Sequence, residues 1–252
     1  MAATVVIPAR YGSTRFPGKI VASETGRPLV QHVVDQVRKC RNVREILVAT
    51  DDVRIAEALR RFETKCVMTS PTHRSGTDRI AEVARSLADE IIVNVQGDEP
   101  EIEPQIIDAL IDLMHQTGHD MATCATRYPA GAQASNPSLV KVVTGLDGRA
   151  LYFSRSPIPF DREASDRSNA PATPTSAMKL HLGIYAYRRE FLMRFASWAP
   201  SPLEQMEKLE QLRALEHGAS ISVLNVDRAA HGIDTPEQYS EFVKRYKGVV
   251  RG

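Results

Sequence analysis

The stretch TVVIPARYGSTRFPGK, residues 4–19, begins as a strand and ends as a loop crowded with cations. Val5, Val6 and Ile7 form a continuous apolar run, the pattern of a strand covered on both faces of a sheet. Arg10, Arg15 and Lys19 follow, interleaved with Gly12, Ser13, Thr14 and Gly18. The glycines and lysine are similar to the P-loop pattern G-x-x-x-x-G-K-[ST]. Here, however, five residues separate Gly12 from Gly18, and Ile20 stands where a magnesium-binding hydroxyl would be. Pro17 also lacks an N–H that could cradle phosphate. What remains suits an oxyanion in another way. Arg10 and Arg15 offer bidentate contacts, Lys19 is a mobile point charge, and the Gly12 and Ser13 N–H groups can approach closely.

Downstream, apolar bursts at EILVAT (45–50), CVMT (66–69) and EIIVNVQGD (90–98) alternate with segments of helical period. Those segments are PLVQHVVDQVRKC (28–40), VRIAEALRRF (53–62) and DRIAEVARSLA (78–88). Strand and helix in repeated alternation predict an α/β fold with parallel strands joined by crossovers. In such sheets ligands bind beyond the carboxyl ends of the strands. That rule brings three strand-end loops together: PARYGSTR (8–15), ATDD (49–52) and QGDEP (96–100). Asp98, in the last of these, is placed to hold Mg2+ while substrate phosphates complete the coordination.

The second half is mixed. MATCAT (121–126), LVKVVT (139–144), ALYFSRSPIP (150–159) and KLHLGIYAYRR (179–189) read as strands, and residues 161–177 as a Pro/Ser/Ala-rich surface loop. SPLEQMEKLEQLRALEHG (201–218) predicts one helix, with Ser201 as N-cap, Pro202 in its first position and Gly218 after its end. Met206, Leu209 and Leu212 would form its buried stripe. Glu207, Glu210 and Gln211 share another face at i, i+3, i+4 spacing, which by residue type alone is a solvated face. HGIDTPEQY (231–239) leads into a final helix, PEQYSEFVKRYK (236–247), and Asp234 just before it is either a helix-end stabiliser or a second metal ligand.

The 252 residues carry 32 basic and 31 acidic side chains, a net charge of +1, so no general attraction to nucleic acid or anionic membranes is expected. The N-terminus lacks a signal-peptide pattern and no run reaches the length of a membrane span, so a cytoplasmic protein is expected. Cys40, Cys66 and Cys124 form no CxxC pair and read as buried small hydrophobes.

Taken in order, VVIPARYGSTRFPGK, HRSGTDRIAEV, IIVNVQGDEP, ALYFSRSPIPFDR, HLGIYAYRREFL, SPLEQMEKLEQLRALEHG and GIDTPEQ resemble the 3-deoxy-manno-octulosonate (Kdo) cytidylyltransferase family over nearly the whole chain. The resemblance implies a Rossmann-like nucleotidyltransferase fold, with a mixed, mostly parallel sheet flanked by helices and a smaller dimerisation region. It further implies a homodimer that uses Mg2+, joining CTP to Kdo to give CMP-Kdo and pyrophosphate for lipopolysaccharide biosynthesis. Residues 1–125 would be mainly nucleotide-binding, 126–225 mainly sugar-binding and dimerising, and 226–252 a metal loop and closing helix. Arg10 and Lys19 match positions gripping the CTP phosphates, with Ser13 and Arg15 in the same loop. Arg74, Ser75 and Gly76 match the cytosine-facing segment, and Asp98 and Asp234 the magnesium carboxylates. Gln96, Arg155, His181, Tyr185, Glu210 and Gln211 match the sugar pocket. Residues 161–177 depart from the family pattern. The alternatives are a cytidylyltransferase for another acid sugar, such as 8-amino-Kdo or a nonulosonic acid, and a nucleotide-binding module without catalysis.

Overall fold

A computed structural model describes residues 2–162, 177–228 and 232–250. Most of the 161–177 loop therefore lies outside the described residues. The chain divides into two compact units, residues 1–111 with 230–252, and residues 112–229.

The first unit is built on four parallel strands in the order β3-β2-β1-β4: β1 (Ala3–Ala9), β2 (Val43–Thr50), β3 (Cys66–Met68) and β4 (Ile91–Asn94). Parallel neighbours require crossovers, supplied by α1 (Leu29–Val37), α2 (Val53–Arg60) and α3 (Gly76–Ala84). Val5, Val6, Ile7, Ile91, Ile92 and Val93 are fully buried, which is why these strands read as unbroken apolar runs. Helix α1 turns Leu29, Val30, Val33, Val34 and Val37 inward at helical spacing. Helix α4 (Pro104–Thr117) carries the chain onward, and the closing helix α8 (Pro236–Val250) packs Tyr239, Phe242 and Val243 with Leu29 and Ile233.

The second unit is a mixed sheet. Strand β5 (Met121–Arg127) pairs antiparallel with β8 (Lys179–Arg188) and parallel with β9 (Ile221–Asn225), and β6 (Lys141–Thr144) bridges β8 and β7 (Ala150–Ser154). Strand β7 ends well before the 150–159 span expected of it, because Pro157 and Pro159 have no N–H to give a ladder. Helix α5 (Arg189–Ser197) follows β8.

The single helix expected over 201–218 is two: α6 (Pro202–Glu207) and α7 (Gln211–Glu216). Lys208, at φ 54 and ψ 45, takes a left-handed conformation that ends α6. The break turns Met206 out to 81% exposure while Leu209 and Leu212 stay buried, so Met206 is not part of the buried stripe. None of the three cysteines is in a disulfide; Cys124 is buried, whereas Cys40 and Cys66 are half-buried. Burial pushes both of those thiols up, Cys40 to about 12, leaving little reactive thiolate at neutral pH.

Candidate active site

A cavity of about 350 Å³ opens at the carboxyl ends of β1 and β4. The loop after β1 lines it with Arg10, Ser13, Arg15 and Lys19, the loop after β4 with Gln96, Gly97 and Asp98, and the start of α3 with Gly76. The two strand-end loops touch because position 97 has no side chain: a Cβ there would lie 3.1 Å from the Pro8 carbonyl oxygen. Gly18, at φ 71, turns the chain back so that its N–H donates to the Tyr11 carbonyl at 3.2 Å. The Tyr11 ring is in turn covered by the Arg54 guanidinium, 3.4 Å from its centroid, and Asp52 holds Arg54 at 2.6 and 2.9 Å. This clamp braces a loop whose tips, Arg10 and Arg15, are exposed.

At the floor, Lys19 is only 8% exposed. Its ammonium donates to Asp98 Oδ2 at 2.5 Å, to the Ile233 carbonyl at 2.8 Å and to Asp234 Oδ1 at 3.0 Å. Arg15 reaches the other oxygen of Asp234 at 2.9 Å. Burial alone would lower the Lys19 pKa, but the charges and hydrogen bonds of Asp98 and Asp234 outweigh it, so the net shift is upward. Lys19 is therefore charged. Asp234 does not cap α8 with its carboxylate; the Gln238 side chain accepts from the Asp234 and Thr235 N–H groups instead. Half-buried Glu99, next to Asp98, is pushed up to about 8, first by burial and then by the Asp98 charge.

Two carboxylates and one backbone carbonyl converging on a single cationic nitrogen form an oxygen-only donor set, and hard cations such as Mg2+ take such donors. Among the described residues no group of three or more His, Cys, Asp or Glu side chains could hold a metal ion. A cation at Asp98 and Asp234 would thus complete its shell with water or phosphate oxygens.

In the 74–76 segment, Arg74 is exposed and Gly76 lines the cavity. The Ser75 hydroxyl accepts from the Asp78 N–H at 3.1 Å and caps α3. Beneath this turn, the buried Arg79 pairs with Asp51 at 3.1 Å and with Thr69, tying the ends of β2 and β3. His73 pairs with Glu82. Asp51 and Tyr11 were legible only as members of strand-end loops, and nothing in the sequence marked Arg79 on α3 or Arg54 on α2 as their partners.

The second unit gathers His181, Tyr185 and Gln211. The register of β5 against β8 shifts between Thr123 and Cys124, a bulge that leaves the carbonyls of Leu182 and Ile184 to the Thr123 hydroxyl, at 3.1 and 2.8 Å. That hydroxyl has one proton and gives it to a carbonyl, so at 2.9 Å it accepts from His181 Nε2–H. Burial lowers the His181 pKa to about 3, so the ring is neutral and its Nδ1 is an acceptor. Tyr185 stands 5.5 Å from the His181 ring and donates to Gln211 Oε1 at 3.2 Å. Gln211 Nε2 is buried with no hydrogen-bond partner among the described residues.

Arg155 donates to the carbonyls of Glu207, Pro137 and Lys208 at 2.6, 2.7 and 3.3 Å. It thereby satisfies carbonyls at the broken end of α6. Glu207 accepts from Ser154 and from the Arg155 N–H, and Glu210 accepts from Arg213 at 2.9 Å. This helix face is thus hydrogen-bonded rather than merely solvated.

A cytidylyltransferase family model matches residues 4–221. A Geobacter sulfurreducens protein named 3-deoxy-manno-octulosonate cytidylyltransferase is 48% identical over 97% of this chain and 99% of its own length. One of the same name from Idiomarina loihiensis is 49% identical over 94% of this chain and 95% of its own. A solved structure described as CMP:2-keto-3-deoxy-manno-octonic acid synthetase complexed with CTP matches with a TM-score of 0.89 at 40% identity, covering 98% of this chain and 99% of that one. A Leptospira borgpetersenii cytidylyltransferase, at a TM-score of 0.61 and 16% identity, shares the fold alone. With nearly all of its length matched in both sequence and fold, the chain belongs to the 3-deoxy-manno-octulosonate cytidylyltransferase family.

Proposed function

We propose that the protein transfers CMP from CTP to the anomeric hydroxyl of Kdo, giving CMP-Kdo and pyrophosphate, and so supplies lipopolysaccharide biosynthesis. The observation that carries this reading is the cavity whose basic loop faces Asp98, with Asp234 joined to it through Lys19. In this reading the nucleotide is held by Arg10, Ser13, Arg15, Lys19 and the 74–76 segment. The sugar is held by Gln96, Arg155, His181, Tyr185, Glu210 and Gln211. The enzyme is further proposed to act as a cytoplasmic homodimer with Mg2+.

The reaction forms a bond from the anomeric oxygen to the α-phosphorus and breaks the α–β phosphoanhydride bond; the hydroxyl proton passes to solvent and pyrophosphate departs with the bonding pair. The main obstacle is charge, because a carboxylate sugar must approach a polyanion. Two unit charges ~4 Å apart repel by about 4 kcal/mol at an effective dielectric of roughly 20. Arg10, Arg15 and Lys19 oppose that repulsion, and their positions turn the displacement into one of oriented neighbours. Magnesium held by Asp98 and Asp234 would neutralise phosphate charge and lower the pKa of the attacking hydroxyl. His181, kept neutral, presents Nδ1 to a sugar hydroxyl, and Gln211 offers a buried N–H to a sugar oxygen.

Pyrophosphate release measured across the four nucleoside triphosphates, with Kdo, 8-amino-Kdo and a nonulosonic acid, tests both pockets. Release with CTP and Kdo together, and with neither alone, is expected. Faster release with either of the other sugars would replace the substrate assignment, and no release with any pair would overturn the reading.

A further inference from the structure

We infer that Lys19 is a stand-in cation: its ammonium occupies the position between Asp98 and Asp234 until CTP draws it away, so a metal alone is held off and nucleotide and metal bind cooperatively. The inference rests on the roles proposed above for these three residues.

An ammonium has three protons and no acceptor. Here each proton has a partner: Asp98 Oδ2 at 2.5 Å, the Ile233 carbonyl at 2.8 Å and Asp234 Oδ1 at 3.0 Å. No donor is left for a phosphate. Lys19 cannot hold this position and grip a triphosphate at the same time, so the two roles belong to two states. Charge agrees with geometry, since Lys19 and Arg15 together balance Asp98 and Asp234. A divalent ion arriving alone must expel a buried ammonium and leave it without acceptors, which is costly. A triphosphate changes that balance by giving the ammonium new oxygens to bond, which frees both carboxylates as the metal arrives. Thermodynamic linkage then requires each ligand to strengthen the other by the same factor.

The test is Mn2+ binding, followed by electron paramagnetic resonance on the intact protein without Kdo, for wild type, Lys19→Met and Lys19→Gln, each with and without CTP. Both variants should bind Mn2+ alone at least about tenfold more tightly than wild type, and the gain produced by CTP should shrink by a similar factor. Mn2+ affinity in folded variants equal to or below wild type would overturn the inference. If circular dichroism shows that neither variant folds, acetic anhydride labelling of wild-type Lys19, read by mass spectrometry, decides. Labelling should be slow in the free protein and should rise severalfold once Mn2+ alone saturates its site, and unchanged labelling would refute the mechanism. Pyrophosphate release by wild type with Mg2+ separates the two failures, because it stands if only the stand-in role is wrong.

Discussion

Asp98 and Asp234 illustrate how a residue's meaning depends on what faces it. Each lies in a loop where an aspartate is commonplace, yet both reach the same buried ammonium. Replacing Asp98 with Asn preserves shape and removes charge. The expected result is a kcat at least about 100-fold lower with circular dichroism unchanged; near-normal turnover would sink the magnesium assignment. Lys19→Met should raise the KM for CTP more than that for Kdo, because the lysine lies in the cavity lined by the basic loop. Equal damage to both constants would argue against that division of labour. Lys19 and Asp98 were legible because strand-end loops concentrate chemistry and charged residues are conspicuous there, whereas Asp234 stood out only as an acid before the final helix and through the family resemblance. The Ile233 carbonyl and the Arg54 stack on Tyr11 were not legible, since a backbone oxygen and a ring face leave no pattern in sequence.

At the scale of elements, amphipathic period located α1, α2 and α3 and apolar runs located β1, β2 and β4. The break between α6 and α7 escaped because residues 201–218 contain no internal glycine and no proline after Pro202. A lysine in the left-handed region takes the place of the glycine that usually ends a helix this way, and Arg155 supplies the partners that make the ending tolerable. Lys208→Gly should therefore raise stability by about 0.5–1 kcal/mol, seen as a higher melting temperature. A lower melting temperature would mean that the lysine side chain is needed there. Ser75→Ala removes the hydroxyl that caps α3 and should lower stability by about 1 kcal/mol.

Across the whole molecule, two imidazoles couple folding to pH. Burial pulls His32 down to about 4, with the Asp35 charge opposing and the Arg27 charge assisting, and pulls His181 down to about 3. In both cases the unfolded chain takes up the proton first. Stability is thus complete above the unfolded value, near 6.5, and declines as pH falls toward the folded values. From pH 6.5 to 5, each histidine costs up to about 2 kcal/mol. The urea midpoint should fall between pH 7.5 and 5, and His32→Gln should flatten that fall; an unchanged slope would remove His32 as a cause. Pattern alone carried the parallel α/β core, the basic loop and the candidate carboxylates, because periodicity and charge are local properties of a chain. The lysine–carboxylate cluster, the Thr123–His181 hydrogen bond and the Tyr185–Gln211 hydrogen bond arose from the folded arrangement. Each joins residues far apart in sequence, and only three-dimensional packing sets which donor meets which acceptor.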